Sequence, residues 1–539
     1  MHSEPLSQAS VTQISGWLKE CQAEHPSCQK RCNTLPTRIL DVGEDGDHIR
    51  LIDTTGSHGE YIALSHCWGR VNRFTTTKAT LNARLTGFEI DQLPPTFRQA
   101  VLVTRAIGIR YLWIDSLCIV QDDMEDWQLE SSRMAAVYSN SICTIAASNA
   151  AGDEEGFLKP RNTKYIHVKL SDSSDRMVDL YLEEDAPADR SPKSEPLEKR
   201  AWTLQERYLS SRMILFGSSA FRWECQELVW HERGPGFNWI PVRLDDLLPR
   251  FPRGIAFNSW YRMVEQYSSR ALTFERDRLP ALSALAVYVS SATKASYIAG
   301  IWWTSEDIVI GLLWAKSGGT KGTMANWFDR MSSTGYHVIG KSPQLKSGIA
   351  PSWSWASYPA PIQFPNISLY ERLSVSQIAQ FSCCRIMPKG KNLYGEVQHG
   401  YILLQAPLLP LPPISRIFHP ETGRWETEVS FGPRGRSIKK RLIINADRAC
   451  KLKGQLYALP LAIWTYVITT HLIEPGYDSE IVKLLGLIVC FKTSDFEMAH
   501  NETRMAYERF GCFFVDFEHS DSASASYILS LRHRRMLLI

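Results

Sequence analysis

Tyr61-Ile-Ala-Leu-Ser-His-Cys-Trp-Gly69 and Tyr111-Leu-Trp-Ile-Asp-Ser-Leu-Cys-Ile-Val-Gln-Asp-Asp123 are the two stretches whose reading decides the fold. Each opens on a short apolar run of the kind found in a strand covered on both faces, and each leaves that run through polar residues. Between them, Leu93-Pro94-Pro95-Thr96 supplies breakers and a helix start. Phe97, Val101, Thr104 and Ile107 then fall on one helical face until Gly108 ends it. The second stretch predicts a nearly continuous strand over Tyr111–Val120, followed by a helix over Met124–Tyr138 and a strand over Ile142–Ala147. Strand, helix, strand, helix, strand is the pattern of an α/β unit built on a parallel sheet.

On the N-terminal side, Ile14, Trp17, Leu18 and Cys21 follow i, i+3, i+4, i+7 spacing and predict an amphipathic helix ending before Pro26. Arg38–Val42 and His48–Asp53 flank the Gly/Asp-rich turn Gly43–Asp47 and read as a hairpin. On the C-terminal side, Glu183–Lys199 turns to Pro, Ser and charge and reads as an exposed linker, Arg200–Arg207 starts a short helix, and Met213–Phe216 reads as another buried strand. Trp260–Trp314 is mainly helical in pattern. Beyond Trp353 strands dominate, with candidates at Tyr401–Gln405, Leu485–Phe491 and Phe513–Phe517. The expected organisation is an N-terminal helix and hairpin over 1–57, an α/β domain over 58–225, and a mixed helical then β-rich region over 226–539.

Composition narrows the function classes. Hydrophobic residues make up 44% of the 539 positions and charged residues 22%, with 17 Trp, which describes a chain able to bury large aromatic clusters. Sixty basic against 57 acidic side chains give a net charge of +3, too little for the positive field a phosphate backbone demands, so nucleic acid is not an expected partner. The twelve Cys are scattered, several within apolar runs, as in a reducing compartment. Met1–Ser10 lacks a signal-peptide pattern, and Leu456–Ile473 is interrupted by Pro460, Thr465, Thr469, Thr470 and His471. A cytoplasmic protein without membrane spans is expected. No G-x-x-x-x-G-K-[ST] phosphate cradle occurs.

The residues with chemistry to offer cluster in the α/β stretch. Ser65, His66, Cys67 and Trp68 follow a strand, where ligands of open α/β sheets bind. Adjacent strand residues point to opposite faces, so His66 and Cys67 are expected to line a ligand or the core rather than form a nucleophilic pair. Asp115 interrupts an apolar run and needs donors or a pocket mouth. Cys118 reads as packing, and Asp122 and Asp123 as ligand contacts or as caps of the following helix. Thr203-Leu-Gln-Glu206 has the form of a capping box. Cys21, His25, Cys28 and Cys32 have metal-ligand composition, but C-x3-H-x2-C-x3-C lacks a paired knuckle and Pro26 interrupts it, so structural thiols and no metal site are expected. Trp127, Glu130, Met134 and Val137 share one helical face, which puts the Glu130 carboxylate on the apolar side. There it either pairs with Arg or backbone amides, or stands beside Asp115 at the sheet edge.

The two opening stretches, together with Asp126-Trp127, Glu130 and a third phrase, Arg200-Ala-Trp-Thr-Leu-Gln-Glu-Arg207, resemble the three motifs of the fungal HET (heterokaryon incompatibility) domain in their order. Asp277-Arg-Leu-Pro280 and Ala350-Pro-Ser-Trp-Ser-Trp-Ala356 are weaker phrases of the same kind. The resemblance implies a fungal intracellular protein with a TIR-like α/β HET region. It also implies a role in self/non-self recognition or cell death through a protein partner. Its enzymatic alternatives are a TIR-like NAD glycohydrolase, with NAD as substrate, or a tailoring enzyme of secondary metabolism. TIR-like NAD hydrolases carry a functional Glu on a helix after a central strand with Trp nearby, which Glu130 and Trp127 resemble. In that reading Glu130 and Asp115 are catalytic, and Ser65, His66, Trp68 and Asp122 line a small-molecule ligand.

Overall fold

The computed structural model describes the whole chain except residues 1–3, 30–31, 70–73, 161–164, 172–176, 184–194, 233, 236–242, 249–256, 306, 318–348, 366–370, 412–417, 420–423, 432–437, 447–455, 470–477, 493–505, 518–527, 529 and 539. It divides into two units, Met1–Asp245 and Asp246–Ile539.

In the first unit, helix α1 (Gln8–Glu24) precedes the hairpin β1 (Arg38–Asp41) and β2 (His48–Asp53). Then come β3 (Tyr61–Ser65), α2 (Leu81–Thr86), β4 (Phe88–Glu89), α3 (Pro95–Ala106), β5 (Tyr111–Trp113), α4 (Asp115–Cys118), α5 (Met124–Asn140) and β6 (Cys143–Ala146). A separate hairpin, β7 (Tyr165–Ser171) and β8 (Met177–Glu183), leads towards α6 (Trp202–Leu209) and β9 (Arg212–Phe216). The strands β10 (Phe221–Cys225), β11 (Val229–His231) and β12 (Gly234–Pro235) continue the main sheet past β9. Its order is β12-β11-β10-β9-β6-β3-β5-β1-β2-β4. The centre is parallel, β9 to β6 to β3 to β5, and antiparallel strands flank it on both sides. Every residue of β3, β6 and β9 is buried. That is why these segments read as unbroken apolar runs.

Three expectations are corrected here. The run Tyr111–Val120 is not one strand. Its strand ends at Trp113, because Asp115 Oδ1 accepts the Ser116 N–H at 2.7 Å and Ile114 O accepts from Leu117 and Cys118, closing a helical turn. The capping box does not form. Ala201 is the N-cap of α6, Thr203 Oγ1 donates back to Leu197 O and Arg200 O at 2.8 and 2.9 Å, and Glu206 turns into the interior. Of the linker, residues 184–194 lie outside the described residues, but its end is not exposed loop: Leu197–Lys199 is a helical turn with Leu197 buried in a cluster with Cys67, Ala146, Met213 and Leu215.

In the second unit, the helices Asn258–Ser268, Ser283–Thr293 and Asp307–Leu312 are followed by a mainly antiparallel sheet. That sheet contains Val397–Ala406, Leu456–Thr469, Asp478–Lys492 and Ala506–Phe517. Leu456–Thr469 is therefore a strand, and among the described residues no helix is long and apolar enough to cross a membrane. Gly300, at φ 102°, makes the turn of a small hairpin, and its carbonyl accepts from the indoles of Trp355 and Trp260 at 2.9 and 3.3 Å. A Cβ there would stand 2.3 Å from Trp355 Nε1, so only glycine fits. Buried Arg509 joins helix to sheet within this unit, donating to Leu312 O and Trp314 O with its guanidinium 3.6 Å over the Trp314 ring.

One ion pair fixes the route from β5 into α5. Arg38 of β1 donates to Cys118 O at 2.8 Å and to Asp126 at 2.7 and 2.5 Å, while Asp126 Oδ2 also accepts the Val120 N–H at 2.8 Å. Removing the carboxylate strands a guanidinium and an amide that are both largely shielded from water. Asp126→Ala is expected to destabilise the first unit by about 2–4 kcal/mol. Asp122→Ala, at an exposed position, is expected to cost under about 1 kcal/mol. Thermal melting followed by circular dichroism checks both.

Candidate functional site

The parallel strands end on one side of the sheet, and the polar side chains that follow them meet there. Ser65, the last residue of β3, is buried and hydrogen-bonded through Oγ to a Glu206 carboxylate oxygen. Next comes His66, whose ring stands edge-on to Phe97 with centroids 5.0 Å apart. Its Nδ1 lies 3.7 Å from Asp115 Oδ1, and its Nε2 lies 3.2 Å from Asp153 Oδ1, an ion pair whose angle falls short of a hydrogen bond. Trp68 Nε1 donates to Asp115 Oδ2 at 2.9 Å. Arg200 donates to the His66 carbonyl, and Tyr138 Oη donates to Leu64 O at 3.3 Å.

Local chemistry explains the turn that makes this possible. Gly69 has φ +73°, and a Cβ there would stand 2.8 Å from the Glu154 carboxylate and 3.1 Å from the Gly152 backbone. The chain can leave β3 this tightly only through a residue without a side chain. The facing loop Gly152–Gly156 is held by α3, whose Thr96 Oγ1 donates to Gly152 O and accepts from Gly156 N at 3.1 and 3.2 Å. Thr96 N–H also donates to Asp153 O at 2.9 Å.

Burial and charge oppose one another in the cluster. Burial works against a charged His66, but Asp115 and Asp153 outweigh it and raise its pKa above the ordinary 6.5. Burial likewise raises Asp153, against the pull of His66. It raises Glu206 too, against the Ser65 hydrogen bond and the Arg200 charge. Cys67 is pushed up to about 11 by burial, so its thiol is not activated, and Ser65 is engaged by Glu206 rather than by His66. The arrangement places an imidazole between two carboxylates beneath the strand ends, where they favour its charged form. It does not assemble a nucleophile–base pair. Asp115, with its side chain 18% exposed, and Trp68 are half-buried, whereas Ser65, His66, Asp153 and Glu206 are buried.

Of the residues singled out from the sequence, Ser65, His66, Trp68 and Asp115 come together here. Asp122 stands apart, exposed and accepting the Lys78 N–H at 2.7 Å, while Asp123 caps α5 by accepting from Glu125 and Asp126 N–H. Glu130 is buried, but its partners are Thr37 Oγ1 at 2.7 Å and Arg133 at 3.2 Å, different from those of Asp115. It lines a cavity of about 380 Å³ with Thr34, Thr37, Thr55 and Arg133. Three members of the charged cluster, Asp153, Arg200 and Glu206, are not singled out as site residues by the sequence. Asp153 is signalled only by a Gly-bracketed acidic turn after a parallel strand, and Glu206 was assigned to a cap. Cys32 is exposed and bonded to Thr34 rather than grouped with Cys21, His25 and Cys28, whose fourth neighbour is Cys225.

Because the folded site holds protons on His66, Asp153 and Glu206 more tightly than the unfolded chain does, the stability it contributes is present at low pH. It is lost as pH rises through the folded values. Glu206→Gln keeps the shape but removes one ionisation, each unit of pKa displacement being worth about 1.4 kcal/mol. The variant is expected to gain on the wild type in melting temperature as pH rises above the ordinary Glu value of 4.5. Melting curves at pH 4, 6 and 8 check this; a difference that is flat or shrinks with pH contradicts the assignment.

A family model described as heterokaryon incompatibility protein (HET) matches residues 61–206. No curated protein matches the chain, and no solved structure does. The matched segment begins at the first residue of β3 and ends at Glu206, so it spans all the residues of the charged cluster, from Ser65 through Asp115 and Asp153 to Glu206. The similarity to the HET family is therefore carried by residues 61–206, the segment that holds the charged cluster.

Proposed function

We propose that this protein is an incompatibility effector whose HET domain delivers a death-associated output after recognition of a protein partner in the cytoplasm, with the second unit controlling that output. The observation that carries this reading is convergence. Side chains from Ser65–Trp68, from Asp115 and from Arg200–Glu206, far apart in sequence, meet in one charged cluster, of which Asp115 and Trp68 are half-buried. Such a cluster is expensive to bury without a function that uses it. Expression of the full chain in a fungal host is expected to arrest growth, and Asp115→Asn, which keeps the shape but removes the charge at this half-buried position, is expected to relieve the arrest. Unchanged arrest by Asp115→Asn at equal abundance would remove the cluster from the output.

A second reading, NAD hydrolysis on a TIR-like sheet, is favoured by the buried Glu130 carboxylate on the cavity of about 380 Å³. In that chemistry the ribose–nicotinamide C–N bond breaks, nicotinamide leaves with the bonding electrons, and water supplies the new ribose hydroxyl. A carboxylate stabilises the positive charge that develops on the sugar. The expected outcome is release of nicotinamide from NAD by the purified chain, reduced about 100-fold or more in Glu130→Gln with folding intact. No NAD consumption by the parent protein rejects this reading and leaves the first standing.

A further inference from the structure

Cys21 lies in the last turn of α1, and His25 is the residue that caps that helix. Pro26 then starts the turn Pro26–Cys28, which swings the chain back so that Cys28 faces the other two. The interruption at Pro26, which argues against a metal site in the sequence, is what brings the local ligands together. The fourth group comes from the end of β10: Cys225 Sγ lies 3.5 Å from His25 Nδ1, 200 residues away in sequence. The four donor atoms all lie within 4.8 Å of one another, all four residues are buried, and the three cysteines are free thiols. Zinc bonded to sulfur at about 2.3 Å and to nitrogen at about 2.0–2.1 Å in a tetrahedron sets an S to N edge of about 3.6 Å. The observed separation already meets it.

The surroundings supply the remaining chemistry of a thiolate site. Backbone amides of Glu227 and Leu228 hydrogen-bond the Cys225 sulfur, and that of Gln226 the Cys28 sulfur, so the β10–β11 turn wraps donors around the group. Arg212, only 2% exposed, donates Nε to Cys21 Sγ at 3.2 Å and Nη1 to Ile142 O, and pairs with no carboxylate among the described residues. A buried guanidinium without a carboxylate partner calls for negative charge close by. Three thiolates, one neutral imidazole and one divalent zinc carry a net charge of minus one, and Arg212 balances it. We propose that Cys21, His25, Cys28 and Cys225 bind one zinc ion in a closed, four-ligand structural site that clamps α1 and its C-terminal turn to the β10–β11 edge of the sheet. With all four positions supplied by protein, the ion has no open position for substrate and serves folding.

The test is metal analysis of the full chain expressed in zinc-supplemented medium, together with cobalt substitution. The wild type is expected to carry one zinc per chain, released when its thiols are titrated with a mercurial, and to give the intense visible bands of tetrahedral cobalt thiolate. Cys225→Ser is expected to lose the zinc and Cys32→Ser to keep it. His25→Cys, which preserves four ligands, is expected to retain the metal with a shifted cobalt spectrum, and so keeps the test decisive if Cys225→Ser does not fold. A folded wild type that holds neither zinc nor cobalt overturns the proposal. So does loss of zinc from Cys32→Ser with retention in Cys225→Ser.

Discussion

The imidazole of His66 sits between the carboxylates of Asp115 and Asp153 at the ends of central strands that are fully buried, and residues 61–206 are organised around that pairing. A parallel sheet with helices on both sides leaves its strand ends as the place where polar groups can collect without breaking the apolar layers. Once a carboxylate is drawn in there, it must meet positive charge or donors. Arg200 and His66 supply the charge, while Trp68, Ser65 and the Ser116 amide supply hydrogens. The loops that carry these groups are constrained in turn. Gly69 is required by the closeness of Glu154, and Thr96 of α3 holds the loop bearing Asp153 from the other side. Positions that look separate along the chain are coupled because each completes the electrostatic neighbourhood of another.

How legible this was depended on whether the responsible interaction is local. β3 and β6 were readable because burial on both faces writes itself into consecutive apolar residues. The shared face of Glu130, Met134 and Val137 was readable because helical period is local too, and all three are buried. The end of β5 was not readable from apolarity, since the turn at Asp115 is made by a side chain competing for its neighbour's amide inside an otherwise apolar run. Glu206 satisfies the local spelling of a capping box, yet a partner 141 residues away, Ser65, captures it. Asp153 had no pattern of its own, only its place after a parallel strand.

The two acidic residues first paired by their chemistry, Asp115 and Glu130, turn out to serve different neighbourhoods. Asp115 belongs to the histidine cluster. Glu130 accepts from Thr37 beside β1 and from Arg133 one turn further along α5, where it faces the cavity that also reaches Thr34 and Thr55. A carboxylate paired in this way satisfies a purely structural account as well as a functional one. What separates the two is whether anything fills the cavity and reacts there, which is a question of turnover and not of geometry.

The cysteine group shows the same dependence on distance in its clearest form. Cys21, His25 and Cys28 lie within one turn and its exit, so their proximity is a local property, but three ligands without a fourth do not close a zinc site. Cys225 reaches them because β10 runs antiparallel to β9 and ends beside α1, an arrangement set by the order of the whole sheet. Helix α1 buries only Ser10, Ile14, Leu18 and Cys21. That is a thin apolar stripe with which to hold a helix against a sheet, even with Trp17 stacked on Trp230 at 6.0 Å. A clamp tying the helix end to a strand 200 residues further on removes far more chain freedom from the unfolded state than any contact within the helix. The group therefore stands where a cross-link adds to packing that is thin.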